Sequence, residues 1–145
     1  MTYQPRVLVS QVIPESTEDV WETVRDFGRI DEWHPVITDC TLEEDGPGDR
    51  VGSVRNFQAG EKTVRERLVA HSDADRFYQY TILEGGGAKT NYHSELRLIP
   101  ITETDRTLAK WVGYFDVEDG TMDDAKENLT PVFTGGLNNL QERFS

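Results

Sequence analysis

The feature that most constrains the fold is a run of strand-like segments between Val36 and Phe115. Segments rich in β-branched and aromatic residues alternate there with short turns. The segments read VITDCTLEE, VGSVRNFQ, TVRERLVAH, RFYQYTILE, NYHSELRLI and TLAKWVGYF. Because consecutive strands joined by short turns pair in opposite directions, the pattern predicts six neighbouring strands of an antiparallel sheet.

The residues before this run predict one more strand and two short helices. RVLVSQVI (Arg6–Ile13) is rich in β-branched residues, which favours a strand. Ser16 and Asp19 fit the spacing of a helix-capping pair, and the apolar residues after them recur at helical spacing. We expect this helix to end at Gly28, and a second one, RIDEWHP (Arg29–Pro35), to end at its proline.

The last part of the chain has the pattern of a long helix. The apolar residues that recur every three or four positions are Met122, Ala125, Leu129, Val132 or Phe133, Leu137, Leu140 and Phe144. Pro131 predicts a kink or weak point, because proline lacks the N–H that a helix interior uses. Gly135 and Gly136 each cost about 1 kcal/mol relative to alanine in a helix. This pair predicts either a close approach at that face or a locally frayed helix.

The order of the elements indicates the architecture. One strand, two short helices, six strands and a long helix are typical of the α+β class, and we expect a single domain over residues 1–145. The apolar face of the sheet needs a cover, and the C-terminal helix is available for it. We therefore predict a curved seven-stranded antiparallel sheet wrapped around that helix. Such an arrangement leaves a cavity in which a small ligand can bind.

Composition argues against several classes of partner. With 27 acidic and 15 basic residues, the chain carries a net charge of −12, so neither nucleic acid nor membrane insertion is expected. Cys40 is the single cysteine, which excludes an intramolecular disulfide, and three histidines without helical spacing predict no metal site. No signal peptide and no stretch of about 20 apolar residues is found. We expect a cytoplasmic protein, a monomer or homodimer, without a cofactor.

The stretch TVRERLVA (Thr63–Ala70) places a carboxylate on an apolar strand face. Read with a period of two, Glu66 shares its face with Val64 and Leu68. A buried carboxylate is costly unless it is paired, protonated or turned toward a polar group. The same alternation gives the other inward residues of neighbouring strands as Arg55, Phe57, Tyr78, Tyr80, Tyr92 and Ser94.

Two interpretations of Glu66 follow from these faces. In the first, Glu66 pairs with Arg55 and faces a cavity that contains water or ligand. In the second, the two residues form a structural ion pair, and the tyrosines around them are core packing.

Three further positions depend on less regular patterns. TLAKWVGYF has aromatic residues on both faces, and we expect Trp111 and Phe115 to point inward, because Lys110 would otherwise be buried. Trp33 and His34 precede a proline at the expected mouth of the cavity. There, His34 either donates to a ligand oxygen or titrates near neutral pH; the alternative is a local hydrogen bond at a helix end. We expect His71 and His93 to face solvent.

Several short strings occur in an order that resembles a known superfamily. VWETVRDFGRIDEWHPVI, GSVRNF, VRERL, TNYHS and WVGYF follow one another along the chain. This set is similar to the bacterial polyketide cyclase/dehydrase-like branch of the START-like (SRPBCC) superfamily, with similarity to plant abscisic-acid receptors and the birch-pollen allergen family. The resemblance implies the helix-grip fold and a hydrophobic cavity.

The plant receptors allow a comparison of single residues. The string RERLVAHSDADRF is similar to their ERL strand, whose pocket glutamate corresponds to Glu66. Their NY-x-S string, with a pocket tyrosine and serine, matches Asn91, Tyr92 and Ser94. By the same resemblance, their pocket lysine aligns with His34, and an asparagine of the C-terminal helix aligns with Asn139.

The two loops that gate the receptor pocket differ in this chain. The shorter AGEKT (Ala59–Thr63) stands in place of the gate, and GAK (Gly87–Lys89) replaces the latch. Hormone-switched docking to a phosphatase is therefore not expected. The loops Ala59–Thr63 and Gly85–Lys89 can still open and close around another ligand.

Three functions remain open at this point. The first is binding of a small hydrophobic or aromatic metabolite, such as a polyketide-, isoprenoid- or lipid-like molecule. The second is a polyketide cyclase or aromatase, in which positioning supplies most of the effect and one acid–base group is sufficient. Its candidate catalytic residues are Glu66, Arg55, Tyr92 and His34. The third is an interaction module whose open rim binds a protein partner.

Overall fold

A computed structural model describes residues 4–118 and 120–145. Its elements are β1 (Val7–Ile13), α1 (Thr17–Val24), a 3-10 helix (Phe27–Glu32), β2 (Ile37–Leu42), β3 (Val54–Ala59), β4 (Lys62–Ser72), β5 (Phe77–Glu84), β6 (Lys89–Ile101), β7 (Arg106–Val117) and α2 (Met122–Arg143). The expected order of strands and helices is confirmed. The first three residues of the expected domain lie outside the described residues.

The seven strands form one antiparallel sheet in the order β1-β7-β6-β5-β4-β3-β2. From β2 to β7 each strand pairs with its neighbour in sequence, as expected for strands joined by short turns. The N-terminal strand β1 closes the other edge by pairing with β7, from Val7 opposite Gly113 to Ile13 opposite Thr107. The predicted α+β, helix-grip architecture is confirmed.

The long helix α2 covers the sheet with its apolar stripe. Its buried residues are Ala125, Leu129, Phe133, Gly136, Leu137 and Leu140. The helix continues through Pro131 from Met122 to Arg143, so the proline does not end it. A Cβ added to Gly136 would lie 2.8 Å from both Trp111 Cζ3 and His34 Cδ2, whereas one added to Gly135 would meet nothing within 4 Å. Close approach therefore explains Gly136.

The region between β1 and β2 follows the prediction at its start and departs from it at its end. Ser16 caps α1, and its Oγ accepts a hydrogen bond from Asp19 N at 3.4 Å. The expected helix end at Gly28 is wrong, because α1 ends at Val24 with Arg25 as its C-cap. Gly28 lies inside the 3-10 helix, where a Cβ would come within 2.8 Å of Leu42 Cγ. The second expected helix is this 3-10 helix, which begins before Arg29 and ends at Glu32.

Burial identifies the inward faces of the strands. Trp111 and Phe115 are buried, while Lys110 is only partly so, as predicted. The prediction for His71 is wrong, because its side chain is only 6% exposed and its ring lies 5.4 Å from that of Trp21. His93 is half-buried beside Tyr114 instead of facing solvent freely.

No helix in the described part of the chain is long and apolar enough to cross a membrane.

Candidate functional site

A cavity of about 230 Å³ lies where the inner face of the sheet meets the 3-10 helix and α2. Most of its surface is apolar. The apolar lining residues include Ile30, Val36, Ile37, Phe57, Ala59, Val64, Ile82, Leu129, Val132 and Phe133. Among the residues predicted from the sequence, those on this lining are Arg55, Phe57, Glu66, Tyr80, Tyr92 and Trp111. The strand alternation therefore brings half of the predicted site together.

The pair formed by Arg55 and Glu66 is the polar centre of the cavity wall. The two residues lie directly opposite each other on β3 and β4, so their side chains project from the same face. Arg55 Nε donates to Glu66 Oε1 at 2.9 Å, and Arg55 Nη2 donates to the same oxygen at 2.6 Å. The third guanidinium nitrogen, Nη1, donates to the carbonyl oxygen of Phe27 at 3.2 Å. The expected charge pairing is observed.

Aromatic rings surround the buried guanidinium. Arg55 is 0% exposed, and its Cζ lies 3.9 Å from the centre of the Phe27 ring and 4.9 Å from that of Tyr80. Burial acts to lower the pKa of Arg55, but Glu66 opposes this, and the pKa is raised above the ordinary value. Arg55 is therefore a fixed positive charge that orients the carboxylate.

Glu66 retains one oxygen without a protein partner. Both bonds from Arg55 end on Oε1, and Oε2 accepts no hydrogen bond from any described residue. The side chain lines the cavity and is 7% exposed. Burial raises the pKa of the carboxyl group, and Arg55 acts in the opposite direction. Glu66 can therefore accept a hydrogen bond from a group inside the cavity, or exchange a proton with it.

Two tyrosines extend this polar region. Tyr80 accepts a hydrogen bond from Trp111 Nε1 at 3.0 Å, and the centre of its ring lies 6.3 Å from that of Tyr92. Burial raises the pKa of both hydroxyl groups, so the phenols stay neutral. Neutral phenols can donate as well as accept hydrogen bonds, which suits a carbonyl or hydroxyl group of a ligand.

Three other predicted residues support the lining from behind. Tyr78 is buried between Phe27 and Tyr80, with its ring 5.7 Å and 6.0 Å from theirs. Ser94 donates to the carbonyl oxygen of Val112 at 2.8 Å, which uses its hydroxyl group within the sheet. The Phe115 ring stacks on Tyr92, with centres 6.1 Å apart. The structure places none of the three on the cavity surface.

The structure also places Trp33, His34 and Asn139 outside the lining. His34 is 2% exposed and lies beneath α2, not at a cavity mouth. Its Nδ1 accepts from Val36 N at 3.3 Å, so Nε2 carries the proton and donates to Val132 O at 2.7 Å. Asn139 Nδ2 donates to the Trp33 carbonyl oxygen at 2.6 Å. The His34 and Asn139 side chains thus attach α2 to the segment at the end of the 3-10 helix.

The sequence analysis missed three polar residues at the cavity. Lys62 begins β4, Lys89 begins β6, and Asn128 lies on the second turn of α2; all three line the cavity. The lysines were visible in the two loops that correspond to the receptors' gate and latch. Loop residues have no periodicity from which the direction of a side chain can be predicted. The sequence therefore gave no indication that these lysines face the cavity.

One group of possible metal ligands occurs in the described part of the chain, on the side of the sheet near α1. The group contains one possible ligand atom from each of three residues, and these atoms all lie within 4.8 Å of one another: Asp49, His71 and Asp73. Arg25 already donates to Asp73 Oδ2 at 2.9 Å and to Asp49 Oδ2 at 3.0 Å. Because a guanidinium occupies these carboxylates, they fit an ion-pair network better than a metal site.

The chain matches a family model and several solved structures. The model described as "Polyketide cyclase / dehydrase and lipid transport" matches residues 4–145. Protein XoxI from Bacillus cereus is 29% identical, with a TM-score of 0.86 over 95% of this chain and 94% of that one. A protein from Nitrosospira multiformis is 28% identical, with a TM-score of 0.85 over 96% and 95% of the two chains.

A third solved structure, from Thermobifida fusca, is 29% identical and has a TM-score of 0.81 over 95% of this chain and 91% of that one. A comparison with curated proteins found no match. The family match spans every element of the fold and every residue of the cavity lining. The chain belongs to the polyketide cyclase/dehydrase and lipid transport family of the START-like superfamily.

Proposed function

We propose that the chain binds a small hydrophobic or aromatic metabolite, polyketide-, isoprenoid- or lipid-like, in the cavity between the sheet and α2. The observation that carries the proposal is an apolar cavity of about 230 Å³ with one concentrated polar region in its wall. Sites for small molecules combine these two features, because apolar walls supply affinity and a few polar groups fix orientation.

The distribution of polar groups supports this proposal. A buried ion pair that served only the core would be expected to have every polar atom satisfied by the protein. Here Glu66 Oε2 has no partner among the described residues, and Tyr80 and Tyr92 lie on the same lining. A ligand hydroxyl or carbonyl group at this point would complete the hydrogen bonding of the wall.

The experiment is native mass spectrometry of freshly purified protein, compared with its denatured mass. A bound metabolite appears as a mass that is lost on denaturation, and its identity distinguishes storage or transport from enzymatic chemistry. The matched variants are Ala59→Trp, which fills the cavity, and Ala74→Trp, which adds the same side chain at an exposed turn. The extra mass should disappear in the first variant and remain in the second.

A protein without extra mass would then be titrated with aromatic and aliphatic compounds, both uncharged and carboxylate-bearing, and thermal unfolding would be followed. Ligand binding to the native state raises the unfolding temperature. Failure of every compound to do so would overturn the binding proposal and leave a filled core, with Glu66 as a structural partner of Arg55.

A second candidate function is a cyclase- or aromatase-type enzyme that uses the same cavity. The observation that favours it is the raised pKa of Glu66 beside a fixed Arg55, with two neutral tyrosines on the same wall. A carboxyl group whose pKa moves toward neutrality is suited to acid–base work. Glu66→Gln and Tyr92→Phe should each retain ligand binding and lose turnover; unchanged turnover in both would exclude this role.

A further inference from the structure

Three polar side chains lie at the loop end of the cavity, away from the Arg55–Glu66 pair. Lys62, Lys89 and Asn128 line the cavity and also line a second recess beside it, which opens between the two loops and the start of α2. The recess therefore shares its polar residues with the cavity. We call these three residues the polar rim.

The two loops that carry the lysines are held close together. Gly85 has a φ of +88°, and a Cβ there would lie 2.5 Å from the Thr63 carbonyl oxygen and 3.0 Å from Val64 Cα. Only glycine fits such a backbone-to-backbone approach. The Nζ of Lys62 crosses the same gap and lies 3.7 Å from the position that a Cβ on Gly87 would take. The Lys62 ammonium is thus beside the loop that leads directly into Lys89.

Neither lysine has a carboxylate partner in the part of the chain that the structure describes. No ion pair there involves Lys62 or Lys89, although the chain carries a net charge of −12. Asp124 lines the adjoining recess but forms no ion pair with them. Burial, and next the charge of Lys62, lower the pKa of Lys89. Two ammonium groups beside an apolar cavity repel each other unless an anion lies between them.

We infer that the ligand carries a carboxylate, which the polar rim binds at the loop end of the cavity while the apolar body extends toward Glu66. The inference rests on the proposed function and adds the charge and orientation of the ligand. Lys62 and Lys89 supply two ammonium donors, and the Asn128 amide supplies a neutral one. At the other end, Glu66, Tyr80 and Tyr92 receive a hydroxyl or carbonyl group of the same molecule. A carboxylate at the far end would instead meet the Glu66 charge.

The test uses pairs of probes that share an apolar body and differ in charge: naphthoate with naphthylmethanol, and decanoate with decanol. Binding is followed by quenching or shift of tryptophan fluorescence, because Trp111 lines the cavity. The variant protein is Lys62→Met/Lys89→Met. The control is Lys110→Met, since Lys110 precedes inward-facing Trp111 on β7 and points to the opposite face of the sheet.

We expect each acid to bind the wild-type protein more tightly than its alcohol, and the preference to weaken as salt is added. The double variant should weaken acid binding about tenfold or more and change alcohol binding by less than about twofold. Lys110→Met should behave as the wild type.

Two outcomes contradict the inference in different ways. If the alcohols bind and the double variant leaves acid binding unchanged, the charge assignment is overturned, while the binding proposal stands. If no probe binds the wild-type protein, the inference and the proposed function fall together. Thermal unfolding of each variant checks the fold. Because Lys62 is exposed, Lys89 is only half-buried, and neither forms an ion pair with a described residue, we expect nearly unchanged unfolding temperatures.

Discussion

Arg55 and Glu66 lie opposite each other on β3 and β4, and both hydrogen bonds between their side chains end on one carboxylate oxygen. This arrangement leaves the other oxygen for the cavity while it holds the carboxylate in a fixed direction. The guanidinium is fully buried against Phe27 and Tyr80. The pair therefore contributes both to the core and to the polar part of the lining.

The first prediction concerns the stability of this pair. Glu66→Leu leaves the Arg55 charge buried without its partner, and such a change costs about 3–5 kcal/mol in the free energy of unfolding. Replacing both residues, as Arg55→Met/Glu66→Leu, should cost clearly less than the sum of the two single changes. Urea unfolding of the four proteins gives these free energies and the coupling between the two sites.

The matched control is a solvent-accessible set of ion pairs around Arg65, which lies on β4 one residue before Glu66. Arg65 donates to Glu43 and to Glu84, and its side chain is 30% exposed. Arg65→Leu should cost far less of the free energy of unfolding than Arg55→Met, because ion pairs that solvent can reach contribute little to stability. If Arg65→Leu and Arg55→Met lowered the free energy of unfolding by the same amount, burial of the Arg55–Glu66 pair would add nothing to its strength, contrary to this prediction.

The second prediction concerns pH. Burial lowers the pKa of His34 in the folded protein, against a smaller raising effect of its bond to Val132 O. The unfolded chain then binds more protons than the folded one as pH falls through the ordinary histidine range. The contribution of His34 to stability is therefore present above about pH 6.5 and is lost below it.

This contribution can be isolated from other titrating groups by difference. Urea unfolding is measured at several values between pH 5 and pH 8 for the wild-type protein and for His34→Gln, which has no titrating group. The wild type should lose stability more steeply on acidification. Parallel curves for the two proteins would show that His34 titrates alike in the folded and unfolded states.

Much of the fold follows from local sequence patterns. Strands that are consecutive in sequence pair with each other, so the alternation of Val64, Glu66 and Leu68 and the short turns were sufficient to predict the antiparallel sheet. The continuity of α2 through Pro131 was not predictable in this way. Packing of the apolar stripe on the sheet stabilises that helix beyond its intrinsic propensity, which the local sequence does not reveal.

The same contrast holds for the candidate site: residues inside regular strands were predictable, and residues at the ends of loops were not. Strand periodicity placed Arg55 and Glu66 on one inward face, because residues on a strand alternate between two faces. It gave no direction for Lys62 or Lys89, which lie where loops enter strands. For His34, alignment to a receptor residue implied a pocket position, but the structure turns the side chain toward α2, where it bonds Val132 O.

The third prediction concerns the loop that carries Lys89. Gly85→Ala places a Cβ at positive φ and against the Thr63 carbonyl oxygen, so it should separate the β5–β6 loop from the start of β4. Amide hydrogen exchange should accelerate in both loops, and the preference for acid over alcohol probes should fall. Gly86→Ala is the control: the nearest atom is the Ile82 Cγ2 methyl at 3.3 Å, and φ is not positive. Loss of probe preference in Gly86→Ala alone would contradict this assignment.

The fourth prediction separates two adjacent glycines of α2. A Cβ at Gly136 would lie 2.8 Å from Trp111 Cζ3 and from His34 Cδ2, both parts of rigid buried rings. Gly136→Ala should therefore destabilise the protein by about 1–3 kcal/mol, the usual cost of overpacking a core. A Cβ at Gly135 would meet nothing within 4 Å, so Gly135→Ala should stabilise the helix by about 0.5–1 kcal/mol. Urea unfolding of both variants measures the contrast. Stabilisation by both substitutions would show that α2 can move away from the sheet, and the cavity beneath it would then be free to expand.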